Sequence, residues 1–139
     1  LCFPDAAALA ALTPEQLRAA GFSVSKIATL ERVAAAVLDG SLPLDAWAAE
    51  QPLPVAVIES TLLAIKGIGP WTVHYALLRG FGWLDGSLHG DVAVRNALAR
   101  LLDVPSVSQT DTEQWLAAFA PWRALVAAHL WASLSAKTY

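Results

Sequence analysis

Three features of the sequence predict an all-α fold. Apolar residues recur at helical spacing, helix caps sit between the apolar segments, and no run alternates polar and apolar in the manner of a strand. Thr13-Pro14-Glu15-Gln16 combines an N-cap, a proline at the first helical position and a glutamine at the capping-box position, and the short helix it opens stops at Gly21. Ser23 or Ser25 caps the next helix, which carries Ile27, Leu30, Val33, Ala34 and Val37 on one face and ends at Asp39-Gly40. Residues 41–54 read as a proline-containing connection with a helical turn around Trp47. Helices follow over 55–65 and 70–79, joined by a Gly-Ile-Gly turn. A glycine-rich loop spans 81–90, and a helix over 91–102 puts Val94, Leu98 and Leu101 on one face. The cap chemistry of Thr110-Asp111-Thr112-Glu113 opens a helix through Phe119, and Pro121-Trp122 starts a last helix to about Ser135.

At 139 residues the chain is expected to form a single domain, residues 1–139. Its 56% hydrophobic content and mean hydropathy of +0.49 are high for a soluble domain, yet no apolar run reaches the roughly 20 residues of a membrane span. The first residues lack a basic stretch and a cleavage pattern, so no signal peptide is expected. The excess apolarity implies either a large core or a surface that another segment covers. Cys2 is the only cysteine, which excludes an internal disulfide and a four-cysteine iron–sulfur cluster within the chain. The net charge of −3 argues against non-specific grip on nucleic acid by charge alone, so any basic face must be local.

The stretch Ala64-Ile65-Lys66-Gly67-Ile68-Gly69-Pro70-Trp71-Thr72 is the most informative. Helix, Gly-x-Gly turn and helix make a helix-hairpin-helix over about residues 55–80. The glycines permit a tight turn and strip side chains from its tip, so another backbone can approach. Amides at the tip and at the start of the following helix lack intrahelical partners, and together with the helix dipole they form an anion site for a phosphate without any basic side chain. Lys66 adds charge, and Ile68 can plug between the helices. An ordinary αα-hairpin with a glycine turn remains the alternative reading. A dinucleotide fingerprint does not, because no strand precedes the turn and no third glycine follows at the required position.

Leu63-x-Ile65-x-Gly67-Ile68-Gly69-x-Trp71-Thr72-x-x-Tyr75-x-x-Leu78-Arg79-Gly80, followed by Asp91, resembles the helix-hairpin-helix DNA glycosylase superfamily and within it the 3-methyladenine DNA glycosylase II type. Cys2-Phe3-Pro4, Leu17-x-x-x-Gly21, Lys26 and Leu38-x-Gly40-x-Leu42-Pro43 are similar to the family's stretch before the hairpin, and Pro121-Trp122-Arg123 with His129-Leu130-Trp131 to its last helix. The resemblance covers essentially the whole chain. It also implies a further helical segment before the Phe-Pro motif, supplying a wedge into the duplex, that these residues do not include.

The resemblance implies that Asp91 is catalytic, as a fixed anion beside a sugar that becomes positively charged when the N-glycosidic bond breaks. An N-cap is the other reading of an aspartate at this place. The resemblance puts Trp71 and Trp131 in the base pocket, with Tyr75 one helical turn from Trp71, and assigns Lys66, Gly67, Ile68, Gly69 and Thr72 to the DNA phosphates. Trp71 stands where strand-cleaving members carry a nucleophilic lysine, which implies hydrolysis without strand cleavage. Hairpin carbonyls of Lys66, Ile68 and Gly69 are the expected seat of any monovalent cation; no cofactor and no catalytic metal is implied. Trp47, Trp83, Trp115 and Trp122 read as core, and His74, His89 and His129 as structural or surface residues, since they lack metal-ligand spacing. Arg79, Arg95, Arg100 and Lys26 are weaker phosphate candidates. The implied partner is double-stranded DNA with a damaged base, in the nucleoid or nucleus. A DNA-binding module without chemistry and a helical protein-interaction domain are the rival functions; Asp91 separates the first, and salt-sensitive DNA binding the second.

Overall fold

The computed structural model describes residues 4–135. Cys2 and Phe3 of the Phe-Pro motif lie outside the described residues. The described residues are helical with no strand, and no helix is long and apolar enough to cross a membrane. They divide into two compact units, one up to Gly69 and one from Pro70.

The first unit contains α1 (Ala6–Ala10), α2 (Pro14–Ala19), α3 (Val24–Leu38), α4 (Leu44–Ala49) and α5 (Val55–Ala64). Asp5 caps α1, a helix that the sequence reading passed over because five mostly alanine residues carry little periodicity. The capping box of α2 forms as expected, with Thr13 Oγ1 accepting from the Gln16 amide and Gln16 Oε1 from the Thr13 amide. Ser23 caps α3. Both α1 and α2 pack on α3, and Leu17, Ile27, Ala34, Leu42, Trp47, Ile58 and Leu62 are buried.

The second unit contains α6 (Pro70–Phe81), α7 (Val92–Leu101), α8 (Gln109–Ala117) and α9 (Arg123–Ser135). Helices α6, α7 and α8 all contact α9. Its core joins Leu88, Val94, Ala97, Leu98, Leu116, Ala124, Ala127 and Leu130. Helix α8 starts earlier than Thr110, because Ser108 is the better cap: its hydroxyl accepts from the Asp111 amide and donates to the Asp111 carboxylate at 2.6 Å. Trp47 is buried as expected, and Trp115 packs against the second core. Trp122 is not core. It is 53% exposed, in the turn before α9, while Ala124, Ala127 and Leu130 occupy the inward positions.

Candidate active site and hairpin

Asp91 ends the loop between α6 and α7. Leu88, fully buried, anchors that loop in the core, and the Asp91 amide donates to the Leu88 carbonyl at 3.0 Å. Asp91 is the N-cap of α7: its Oδ1 accepts from the amides of Ala93 at 2.7 Å and Val94 at 3.0 Å. It is also more than a cap. The indole of Trp71 donates to Oδ2 at 2.8 Å, and that of Trp131 to Oδ1 at 3.3 Å. Four N–H donors therefore converge on one carboxylate. Oδ1 takes three of them and Oδ2 one, so the spare acceptor capacity of Asp91 lies on Oδ2.

The aromatic residues are arranged around this anion. Trp71 and Tyr75, one turn apart on α6, stack with ring centroids 5.2 Å apart and planes 9° from parallel. Trp131 on α9 meets Tyr75 edge to face at 5.9 Å. Trp71 is 42% exposed and Tyr75 38%, a costly way to place large aromatic rings unless something else stacks on them. A cleft of about 360 Å³ lies beside Trp131, lined also by Leu78, Arg79 and Ala128. Asp91, Trp71, Tyr75 and Trp131 are thus brought together within the second unit.

The loop before Asp91 is held from two sides. The Leu84 carbonyl accepts from the amides of Ala124 at 2.8 Å and Leu125 at 3.3 Å, in the first turn of α9. Asp85 forms a bidentate pair with Arg123, Nε to Oδ1 at 2.7 Å and Nη2 to Oδ2 at 2.9 Å. The guanidinium hydrogen bonds hold the Asp85 carboxyl below its usual range. The pair ties the loop that carries Asp91 to the helix that carries Trp131, a connection that sequence reasoning missed because the partners are 38 residues apart. On the other side, His74 Nδ1 on α6 donates to the Ser87 carbonyl at 2.8 Å, and Ser87 Oγ lies 2.8 Å from His89 Nδ1. These histidines are structural, and no group of three or more metal-ligating side chains occurs among the described residues.

Replacing Asp85 by Asn should lower stability by about 1–3 kcal/mol at neutral pH, because a charge-assisted pair is lost. A carboxyl with a depressed folded pKa contributes stability that is complete above its unfolded value of about 3.9 and fades as pH falls through the folded value. The gap between parent and variant in denaturant melts should therefore narrow below about pH 4.

In the first unit, the turn after α5 forms the hairpin tip. Gly67 has φ +104°, a conformation that disfavours side chains, and a Cβ there would lie 2.0 Å from Thr29 Oγ1 on α3. Gly69 has open space around its Cβ position and an ordinary φ. The Ile68 amide donates to the Ile65 carbonyl at 3.0 Å, whereas the Gly67 and Gly69 amides have no acceptor among the described residues. The Lys66 carbonyl accepts from Arg32 Nη1 at 3.1 Å. The Lys66 side chain is exposed and Ile68 half-buried; Thr72, in the second unit, is exposed on the first turn of α6.

No family model matches the chain. It is 31% identical over 131 residues to DNA-3-methyladenine glycosylase 2 of Escherichia coli, which covers 94% of this chain and 43% of that protein. It is 31% identical over 132 residues to DNA-3-methyladenine glycosylase 1 of Schizosaccharomyces pombe, covering 93% of this chain and 56% of that one. The chain thus spans about half the length of these relatives. A solved structure of the Schizosaccharomyces pombe 3-methyladenine DNA glycosylase in complex with abasic DNA matches 99% of the chain, and 66% of its own, with a TM-score of 0.86 at 28% identity. The likeness runs across both units and agrees with the hairpin and the Asp91 spacing, so over nearly its whole length the chain is similar to helix-hairpin-helix DNA glycosylases of the 3-methyladenine type.

Proposed function

We propose that this chain acts as a monofunctional DNA glycosylase that hydrolyses the N-glycosidic bond of alkylated bases of the 3-methyladenine type, as the first step of base-excision repair. The observation that carries the reading is the Asp91 carboxylate, fixed by two indole N–H groups and two helix amides among three aromatic rings. The relatives are named as 3-methyladenine glycosylases, and the structural neighbour is bound to abasic DNA, the product of such a reaction.

The chemistry follows from the charges. An alkylated purine of this kind is cationic and leaves as a neutral base, taking the bonding electron pair with it. The sugar is left oxocarbenium-like, and the Asp91 anion stabilises it. Because its donors are already in place, little reorganisation is needed when charge develops. A water molecule then attacks the anomeric carbon and loses a proton, giving an abasic site. Oδ2, with its spare lone pair, is the oxygen suited to orient that water. The electron-rich faces of Trp71, Tyr75 and Trp131 suit a flipped-out cationic base, each such contact being worth about 0.5–2 kcal/mol. No amine stands at Trp71 to form a Schiff base, so the strand stays intact. Gly67, Ile68, Gly69, Lys66 and Thr72 serve the phosphates, the two glycine amides as donors and Gly69 as the point of closest approach. DNA as the substrate places the protein in the nucleoid or nucleus.

Trp71→Phe tests how the indole acts. It keeps an aromatic ring on Tyr75 but removes the donor to Oδ2. Since a hydrogen bond to a charged group is worth about 1.5–3 kcal/mol, single-turnover base release should fall roughly ten- to a hundredfold with affinity for undamaged DNA unchanged. An unchanged rate would mean that the indole N–H does not position Asp91.

A further inference from the structure

We propose that Arg32 is the built-in cation of the hairpin: its guanidinium holds the Lys66 carbonyl and puts a fixed positive charge at the tip, so that phosphate capture there needs no bound monovalent metal ion. The inference rests on the DNA-binding reading of the hairpin and departs from the expectation of a cation on the carbonyls of Lys66, Ile68 and Gly69.

Thr29 and Arg32, three residues apart on α3, share one face of that helix. Thr29 sits so close to Gly67 that only a glycine fits, with a Cβ position 2.0 Å from its hydroxyl. That contact brings α3 against the tip, and Arg32 reaches the Lys66 carbonyl with Nη1 at 3.1 Å. Thr29 Oγ1 lies 3.5 Å from the same oxygen, and also donates to the Ser25 carbonyl at 3.0 Å. A metal ion on this carbonyl would have to lie beside the guanidinium, charge against like charge. The residues present do not fit a metal ion at Lys66.

The same arrangement favours an anion. A guanidinium has five N–H donors, and Arg32 has one hydrogen bond among the described residues, so its remaining donors are uncommitted. No carboxylate pairs with it among the described residues. Arg32 is exposed, as is the neighbouring Lys66 side chain, and the Gly67 and Gly69 amides lack acceptors among the described residues. A planar cation with free donors beside free amides suits a phosphate, which arginine takes in bidentate fashion.

The test measures binding of the full-length protein to an undamaged duplex by anisotropy across a potassium chloride series. It is repeated with tetramethylammonium chloride at equal ionic strength, because that ion is too large to sit on hairpin carbonyls. The parent should bind equally well in the two salts. Arg32→Gln should weaken binding at least fivefold and flatten the log–log salt slope by about 0.9, the loss of one phosphate contact. It should also become weaker in tetramethylammonium than in potassium, because the carbonyl is then open to a metal ion. Arg32→Lys should restore the slope but not the full affinity. The inference is overturned if the parent loses affinity when potassium is withdrawn, a result that needs no variant, or if Arg32→Gln keeps both affinity and slope. A parent that binds no DNA in either salt overturns the DNA-binding reading and the inference with it, whereas binding that depends on potassium overturns the inference alone.

Discussion

Asp91→Asn should fold, bind DNA and lose at least about a hundredfold in hydrolysis of the N-glycosidic bond. The loss is the scale seen when one preorganised electrostatic group is removed from a site where charge develops. Folding should survive because asparagine caps helices about as well as aspartate, and its carbonyl oxygen can still accept from the Ala93 and Val94 amides. Some stability should go, about 1 kcal/mol, because the amide NH₂ would face the Trp71 indole N–H, donor against donor, where Oδ2 accepts at 2.8 Å. Affinity should hold or rise slightly, since an anion near the phosphates is removed. A labile cationic base can depart with little help, so the comparison needs a neutral lesion with a poorer leaving group as well. Release of that lesion at the parent rate would reduce Asp91 to a helix cap.

The hairpin glycines should part company under the same substitution. Gly67→Val places a branched side chain at φ +104° with its Cβ 2.0 Å from the Thr29 hydroxyl. The conformational strain alone costs about 1–3 kcal/mol, and separating α3 from the tip adds to it. The variant should melt well below the parent and lose DNA binding. Gly69→Val meets nothing within 4 Å and needs no unusual φ, so its stability should stay within about 1 kcal/mol of the parent. Its DNA affinity should nevertheless fall, for damaged and undamaged duplexes alike, because the added side chain stands where a phosphate backbone approaches. Thermal melts and anisotropy on the two variants check this. Equal stability of both, or unchanged affinity for a folded Gly69→Val, would contradict the assignment.

The helices were legible because their signals are local. Thr13 and Gln16, Ser23, and Asp39-Gly40 mark ends within a few residues of the apolar face they bound. What failed was also local in origin: Ala6–Ala10 is too short and uniform to show a period, and Ser108 lay outside the window in which Thr110 looked like a cap. In the candidate site, Asp91, Trp71, Tyr75 and Trp131 could be named from their resemblance to a family, but not the direction of their hydrogen bonds. Nothing in the spacing of 20 and 40 residues says that two indoles donate to one carboxylate. Asp85–Arg123 and Arg32–Lys66 were invisible for the same reason, since a contact across more than thirty residues is set by packing and leaves no pattern in the chain. Trp122 misled because large aromatic residues are buried on average, while its place before the first turn of α9 leaves it in solvent.

The Asp91 site is proposed to hydrolyse the bond between sugar and alkylated base without cutting the strand. Its most direct test incubates the full-length protein with a labelled duplex containing one alkylated purine, following free base by chromatography and strand integrity by denaturing gel. Base should be released with the strand intact until alkali or heat is applied, and Asp91→Asn should show no comparable release. Strand cleavage coupled to base release, or binding to the damaged duplex with no base released, would contradict it.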